Sequence, residues 1–313
     1  MLACASLVLS VVFFGGLASG EGVIGWGRDD WGQVRETPTG DNFTAIAAGA
    51  DFSLALLNDG SICSWGWDGG GPLAQTPSGK GFMAIAAGDG HCLALKADGA
   101  LLSWGHDHYG QVSGTPTGTG FKAIAAGEMQ SLALTVDGSI IAWGRDDGSS
   151  NYPVSDCPSG TGFVTVSAGG VYNLALKSDG SIVSWGHEQD GDCPVGAGFV
   201  AISAGHDHSL ALTHDGAVMA WGGDGYGQVS GTPTGTGFKA IAAGLWVSMA
   251  LRSDGSIVSW GDDRDGQVTN TPLGVGFIAL DAHRHHSLAL TPEPTTLAML
   301  ALGGLAVIRR RRR

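Results

Sequence analysis

Positive charge is scarce in this chain: 313 residues hold 16 Lys and Arg against 29 Asp and Glu, a net charge of −13. Five of those positives are the terminal run Arg309 to Arg313, and without residues 293–313 the balance is 11 against 28, or −17. So acidic a body repels phosphate backbones at every approach, which argues against a nucleic-acid partner. Helical periodicity is missing as well, since no segment of the body sustains it over three turns. The motifs of common catalysts are missing too. There is no Gly-x-Ser-x-Gly, no glycine-rich phosphate loop opening a helix and no His-Glu-x-x-His. Glycine alone is in excess, 54 of 313 where about 7% is usual. It does not recur every third residue and aromatics are plentiful, so collagen-like and low-complexity readings fail.

The ends differ from the body. Residues 2–19 are uncharged and apolar, and Ala18-Ser19-Gly20 has the small-residue form of a cleavage site. Residues 1–20 therefore read as a secretory signal peptide, with a retained anchor or a lipoprotein cysteine at Cys4 as alternatives. At the other end, Pro292-Glu293-Pro294 is followed by the apolar stretch Thr295 to Ile308 and then the arginines. Fourteen helical residues at about 1.5 Å each reach ~21 Å, short of a ~30 Å hydrocarbon core. The arginine block, including Arg309 and Arg310, is expected to stay cytoplasmic, leaving residues 21–291 outside.

The body, residues 21–291, is one unit copied seven times. Trp-Gly recurs at Trp26, Trp65, Trp104, Trp143, Trp185, Trp221 and Trp260, with spacings of 39, 39, 39, 42, 36 and 39. Gly-Phe keeps the same beat from Phe43 to Phe277, and Tyr109–Gly127 and Tyr226–Gly244 are identical over 19 residues. Each unit reads roughly G-F-x-A-I-A-A-G, a variable triplet, S-L-A-L-x-x-D-G-S-I-V-S-W-G, then a Gly/Pro-rich loop. That gives three short apolar strands, the second and third joined by an Asp-Gly hairpin turn, with a fourth near Gly-Gln-Val left open. The body opens on a lone third strand, Val23 to Trp26, and ends on a lone second strand, Ser287 to Leu290. A stacked solenoid would need polar caps there, whereas a ring needs its last sheet completed by the first strand. The expected fold is all-β, a seven-bladed propeller of mainly three-stranded blades closed by the N-terminal strand.

Strand direction then puts both variable stretches, after Ala-Ala-Gly and after Trp-Gly, on one upper rim. Trp31, Trp67, Tyr109, Tyr172, His206, His208, Tyr226, Trp246, His285 and His286 fall there and form the candidate binding face, because aromatics bury much area at little entropic cost. The third residue after each repeat Trp is acidic, from Asp29 to Asp263, and reads as a turn carboxylate or alternatively as a ring attracting Ca²⁺. His91, His106 and His108 with Asp89 and Asp107 are the candidate Zn²⁺ or Ca²⁺ ligands, and His283, His285 and His286 gather opposite Asp29 and Asp30. Solvated or packed histidines are the competing reading. Cys157 and Cys193 hold equivalent places in adjacent units, so a disulfide between them is an open possibility, whereas Cys63 and Cys92 read as small buried hydrophobes.

Two resemblances rest on these residues. Ile124-Ala-Ala-Gly-x-x-x-Ser-Leu-Ala-Leu134 and Trp104-Gly-x-x-x-x-Gly-Gln111 resemble the regulator-of-chromosome-condensation repeat, and the 39-residue three-stranded unit looks like the bacterial β-lactamase-inhibitory protein II branch. Residues 292–313 resemble the PEP-CTERM sorting signal, with an ordinary short membrane anchor as the alternative. The second resemblance implies handling by an exosortase-type machinery in a Gram-negative-type bacterium. It also implies transient inner-membrane anchoring and a place in the envelope or extracellular matrix. The expected role is non-enzymatic binding of an extracellular protein or glycan. A metal-dependent module acting on extracellular polysaccharide is the alternative, and inhibition of a secreted enzyme a third reading carried by the family likeness alone.

Overall fold

The structure, a computed structural model, describes residues 22–40, 42–69, 71–146, 154–187 and 193–291. The signal peptide at 1–20 and the sorting tail at 292–313, with Pro292, Glu293, Pro294, Arg309 and Arg310, lie outside the described residues. The body is seven three-stranded antiparallel sheets. In blade 1 the inner, middle and outer strands are Phe43–Ala48, Phe52–Leu57 and Ile62–Gly66, and the next five blades repeat this order. Blade 7 takes its inner strand from Ala279–Ala282, its middle strand from His286–Thr291 and its outer strand from Gly22–Gly27. Val23 pairs with Leu290 and Trp26 with Ser287, so the ring is closed by the chain's own beginning.

Local chemistry sets each element. The Asp-Gly turn needs a positive φ that glycine adopts without cost, +77° at Gly60 and +83° at Gly216. A bulge after Phe43, and after its counterparts in the five following blades, bends the inner strand where it enters the sheet. The Gly-Gln-Val segment forms a turn rather than a fourth strand, closed at one end by Gly114 N donating to Gly110 O at 3.0 Å.

Seven apolar cores hold the ring together, and every one lies between two blades. Val23, Leu288 and Leu290 of blade 7 meet Phe43, Ile46 and Trp65 of blade 1 across the closure. All seven repeat tryptophans and all seven repeat phenylalanines are buried. The tryptophans also bond across the seams. Trp65 Nε1 donates to Gln33 O at 3.0 Å, Trp143 Nε1 to Gln111 O at 2.8 Å, Trp260 Nε1 to Gln228 O at 2.9 Å and Trp26 Nε1 to Gln267 O at 2.9 Å. With Trp104 Nε1 donating to Pro72 O at 2.9 Å, five blades thus anchor to the loop of their predecessor, whereas Trp221 Nε1 of blade 5 finds no acceptor among the described residues.

The cysteines follow this geometry. The possible bridge between Cys157 and Cys193 is not formed. Cys157 packs into the core between blades 3 and 4, and Cys193 into the core between blades 4 and 5. Equivalent places in adjacent blades are related by a rotation about the ring axis, which keeps them a blade apart. Cys92 is fully buried and Cys63 packs into the closure core, as small hydrophobes.

Candidate functional site

The two variable stretches of each blade are tied together at the upper rim. The residue after each Trp-Gly donates its backbone N–H to the middle residue of the triplet: Arg28 to His285 O, Trp67 to Asp51 O, His106 to Gly90 O, Arg145 to Met129 O, His187 to Val171 O, Gly223 to Asp207 O and Asp262 to Trp246 O, at 2.7–3.0 Å. Below them the acidic turn residues do structural work. Asp107 Oδ1 accepts from Val112 N at 2.8 Å and Ser113 N at 2.9 Å, and Asp29, Asp68, Asp224 and Asp263 repeat the pattern. These bonds hold the Asp107 and Asp224 carboxyls below the usual range.

The three positions of the triplet have different fates. The third residue is buried in every blade: Phe52, His91, Gln130, Tyr172, His208, Val247 and His286. It opens the middle strand and reaches into the next blade. His91 Nε2 lies 2.9 Å from Ser131 Oγ, His208 Nε2 2.8 Å from Ser248 Oγ, and His286 Nε2 2.8 Å from Ser53 Oγ. Gln130 Nε2 donates to Gly169 O at 2.9 Å, and the Tyr172 hydroxyl donates to His208 O at 2.5 Å. Tyr172, His208 and His286 therefore leave the binding face, because the middle strand is covered by a blade on each side. Burial lowers these histidines to about 4 for His91 and His208 and about 3 for His286, so they are neutral seam pins.

The proposed metal cluster is not assembled. His91 points into the seam, Asp107 serves its turn, and Asp89 pairs with Arg284 through Arg284 Nη2 and, at 3.2 Å, Arg284 Nε. His106 and His108 pack ring to ring at 5.7 Å. Among the described residues no group of three or more His, Cys, Asp or Glu converges on a possible ion site, the His283, His285 and His286 collection included.

The first triplet residues ring the mouth of an axial cavity of about 780 Å³, walled by the seven inner strands. Two ion pairs cross that mouth. Arg284 of blade 7 reaches Asp89 of blade 2 over the small Ala50 of blade 1, and His206 Nε2 of blade 5 reaches Glu128 Oε1 of blade 3 at 2.9 Å over Gly170 of blade 4. A Cβ at Gly170 would come within 2.9 Å of His206 O, so this crossing needs glycine. His206 Nδ1 is also 2.5 Å from Asp207 Oδ1. Between two carboxylates the imidazole is raised to about 10, first through the Asp207 hydrogen bond, which makes it a fixed cation and a poor general base near neutrality. Just inside the mouth the inner strands crowd, since a Cβ at Gly88 would meet Gly127 O at 2.3 Å and one at Gly127 would meet Gly169 O at 2.4 Å.

Outside the mouth stand the exposed aromatics. Trp31, Trp67, Tyr109 and Tyr226 keep 48%, 39%, 46% and 42% of their surface. Trp31 and Trp67 pair at 5.8 Å between centroids. Tyr226 and Trp246 stack at 4.9 Å, and the Arg264 guanidinium covers both rings at 4.5 and 4.7 Å. Buried Asp262 grips Arg264 through Nε and Nη2, each at 2.9 Å. His285 meets Trp246 edge-on at 6.3 Å, with Nδ1 3.1 Å from Asp265 Oδ2. Arg264 gave no signal of its own in the sequence, although it is the one basic residue in its Trp-Gly loop, Asp262-Asp263-Arg264-Asp265.

These features define a class, a closed seven-bladed β-propeller with a rigid frame and one variable, aromatic, acidic rim. The Regulator of chromosome condensation (RCC1) repeat model matches residues 43–71, 84–111, 199–228 and 238–267, and the PEP-CTERM protein-sorting motif matches residues 290–313. The chain thus carries regulator-of-chromosome-condensation repeats over these four segments of its propeller and a PEP-CTERM motif, and that motif points to export by exosortase-related sorting. No curated protein matches it significantly. Among solved structures it is similar to Prp20p from Saccharomyces cerevisiae, at 18% identity and a TM-score of 0.72, covering 92% of this chain and 95% of that one; that protein was characterised with its binding to Gsp1p and histones. It is also similar to the CRINKLY ectodomain of the Arabidopsis thaliana receptor kinase ACR4, at 24% identity, TM-score 0.61 and coverage of 78% and 89%. Human WBSCR16 follows at 16% identity, TM-score 0.65 and coverage of 87% and 99%. At these identities the likeness establishes the fold.

Proposed function

We propose that this protein is an exported, envelope- or matrix-associated propeller that binds an extracellular protein or glycan through its upper rim, without turning it over. The observation that carries this reading is the pre-arranged cluster of Tyr226, Trp246, Arg264 and His285, with the Trp31–Trp67 pair on the same rim. Rigid aromatics around a fixed guanidinium lose little entropy on binding, which is where interface energy concentrates. The propeller solutions in Prp20p support a binding role by analogy of fold.

The ends of the body agree with this orientation. Gly22 pairs with Thr291, so both described ends of the body lie on the side opposite the rim. Seventeen excess negative charges before residue 293 favour a partner with a basic surface.

A binding screen of secreted proteins and glycans with the full chain in lipid nanodiscs tests the reading. A rim ligand should lose about 30-fold in affinity on Trp246→Ala, the effect of a hot spot worth roughly 2 kcal/mol. Val136→Ser on the lower face should leave it unchanged. A ligand insensitive to Trp246, Tyr226, Trp31 and Trp67 substitutions would refute the rim as the binding surface.

A further inference from the structure

The wall of the axial cavity departs from the repeat at one height. Two residues before the rim glycine, whose place His283 takes in blade 7, the ring reads Ala47, Ala86, Ala125, Ser167, Ser203, Ala242 and Asp281. Each polar member accepts a hydrogen bond from the next blade's inner strand. Ser167 Oγ takes Ala204 N at 2.9 Å, Ser203 Oγ takes Ala243 N at 3.0 Å, and Asp281 Oδ2 takes Ala48 N at 2.8 Å. A serine performs that task in blades 4 and 5, so the carboxylate of blade 7 exceeds what the seam requires.

Asp281 shares this cavity with Ile46, Ile85, Ile124, Ile241 and Leu280 among many alanines. No Lys, Arg or His among the described residues forms an ion pair with it, and the nearby Arg284 is already held by Asp89. Desolvation raises its carboxyl to about 7. A carboxylate facing an apolar space without a counter-ion is costly, and a bound cation removes that cost. The space itself is of the size that takes small ligands, and its lining is mainly apolar, with Asp281 joined by the ionisable side chains Glu128, His206, Lys239, His283 and Arg284.

We propose that the axial cavity binds a single-chain primary aliphatic amine, with its alkyl chain along the isoleucine and alanine wall and its ammonium on the Asp281 carboxylate. The chain gains from burial at roughly 0.8 kcal/mol per methylene. The head gains a charge-assisted hydrogen bond in a low-dielectric site. An alkyl carboxylate with its head at that position would bring a second negative charge to Asp281. Neither Trp246 nor Trp31 takes part, so this site stands or falls apart from the rim.

The test is calorimetric titration of the full chain in nanodiscs with n-octylamine, 1-octanol and octanoate at pH 7.5, empty nanodiscs serving as the blank. Octylamine is expected to bind one per chain and to raise the melting temperature, 1-octanol to bind at least ~10-fold more weakly and octanoate not to saturate. Asp281→Ser, which copies blades 4 and 5 and so keeps the seam bond, should bring octylamine down to the level of octanol while leaving octanol unchanged. Asp281→Asn should do the same and guards against a folding effect of the first variant. Absence of saturable octylamine binding, octanol binding as tight as the amine, or amine binding undiminished in both variants overturns the proposal.

Discussion

Acid should loosen this ring, and three histidines should account for it. His91, His208 and His286 pin three different seams, each through Nε2 to a serine of the next blade, and Nδ1 of His208 and His286 finds no acceptor among the described residues. Protonation would bury an unpaired charge, which is why burial lowers them to about 4, 4 and 3 from the ordinary 6.5. The unfolded chain therefore takes up three more protons than the folded one between pH 6.5 and about 4, and stability falls with pH across that window. Asp281, raised to about 7, works the other way, because the folded state takes up its proton first and regains one of the three. His206, raised to about 10, is protonated in both states below pH 6.5 and contributes no slope there; its contribution is lost as pH rises toward 10. A net two protons correspond to about 2.7 kcal/mol per pH unit at full slope, and since unfolded histidines are half-protonated at pH 6.5 the step from pH 6.5 to 5 should remove roughly 3 kcal/mol, a large part of a typical 5–15 kcal/mol. Urea midpoints measured between pH 7 and 5 check this. Gln130 already serves as a seam residue in blade 3, so the variant His91→Gln, His208→Gln, His286→Gln has a native precedent. Its stability should no longer fall on acidification, since Asp281 remains and tends to raise stability as pH drops. A triple variant with the wild-type slope would refute the assignment of the acid response to the seams.

The remaining predictions concern single positions. Ser287 Oγ is buried without a partner because Val247 stands where a histidine, glutamine or tyrosine reaches over in other blades, so Ser287→Ala should stabilise by about 1 kcal/mol in the same urea assay. Asp224→Ala removes the acceptor for Val229 N and Ser230 N and should cost about 1 kcal/mol. Alkylation of the unfolded chain without reductant should label both Cys157 and Cys193, and mass spectrometry should find no bridged peptide. In the folded protein Cys157 should react slowly near neutral pH, since burial raises its thiol to about 11.

How far the sequence reached depended on what the repeat could encode. Blade number, strand order, hairpin turns and the closure of Val23 to Trp26 onto Ser287 to Leu290 follow from period and phase, because each is a relation inside one unit or between neighbours. The error at Tyr172, His208 and His286 arose from the middle strand. His286, Ser287, Leu288, Ala289 and Leu290 are all buried, so the usual alternation of inward and outward residues is absent and a polar residue at the strand's start looks like part of the loop. A different signal was present. Across the seven units the third triplet residue is Phe, His, Gln, Tyr, His, Val and His, never acidic and never smaller than valine, whereas the first runs from glycine to arginine. A column that selects bulk and forbids negative charge describes a filled, desolvated seam. The crossings at the mouth carry no such signature, since Arg284 and Asp89 lie 195 residues apart and skip a blade. Their trace is the small residue each passes over, Ala50 and Gly170, and only the closed ring shows that those gaps lie between opposite charges. In a protein made of copies, the frame is written in what the copies share, and any specific site has to be sought where one copy breaks the column, as Arg264 does on the rim and Asp281 does in the axis.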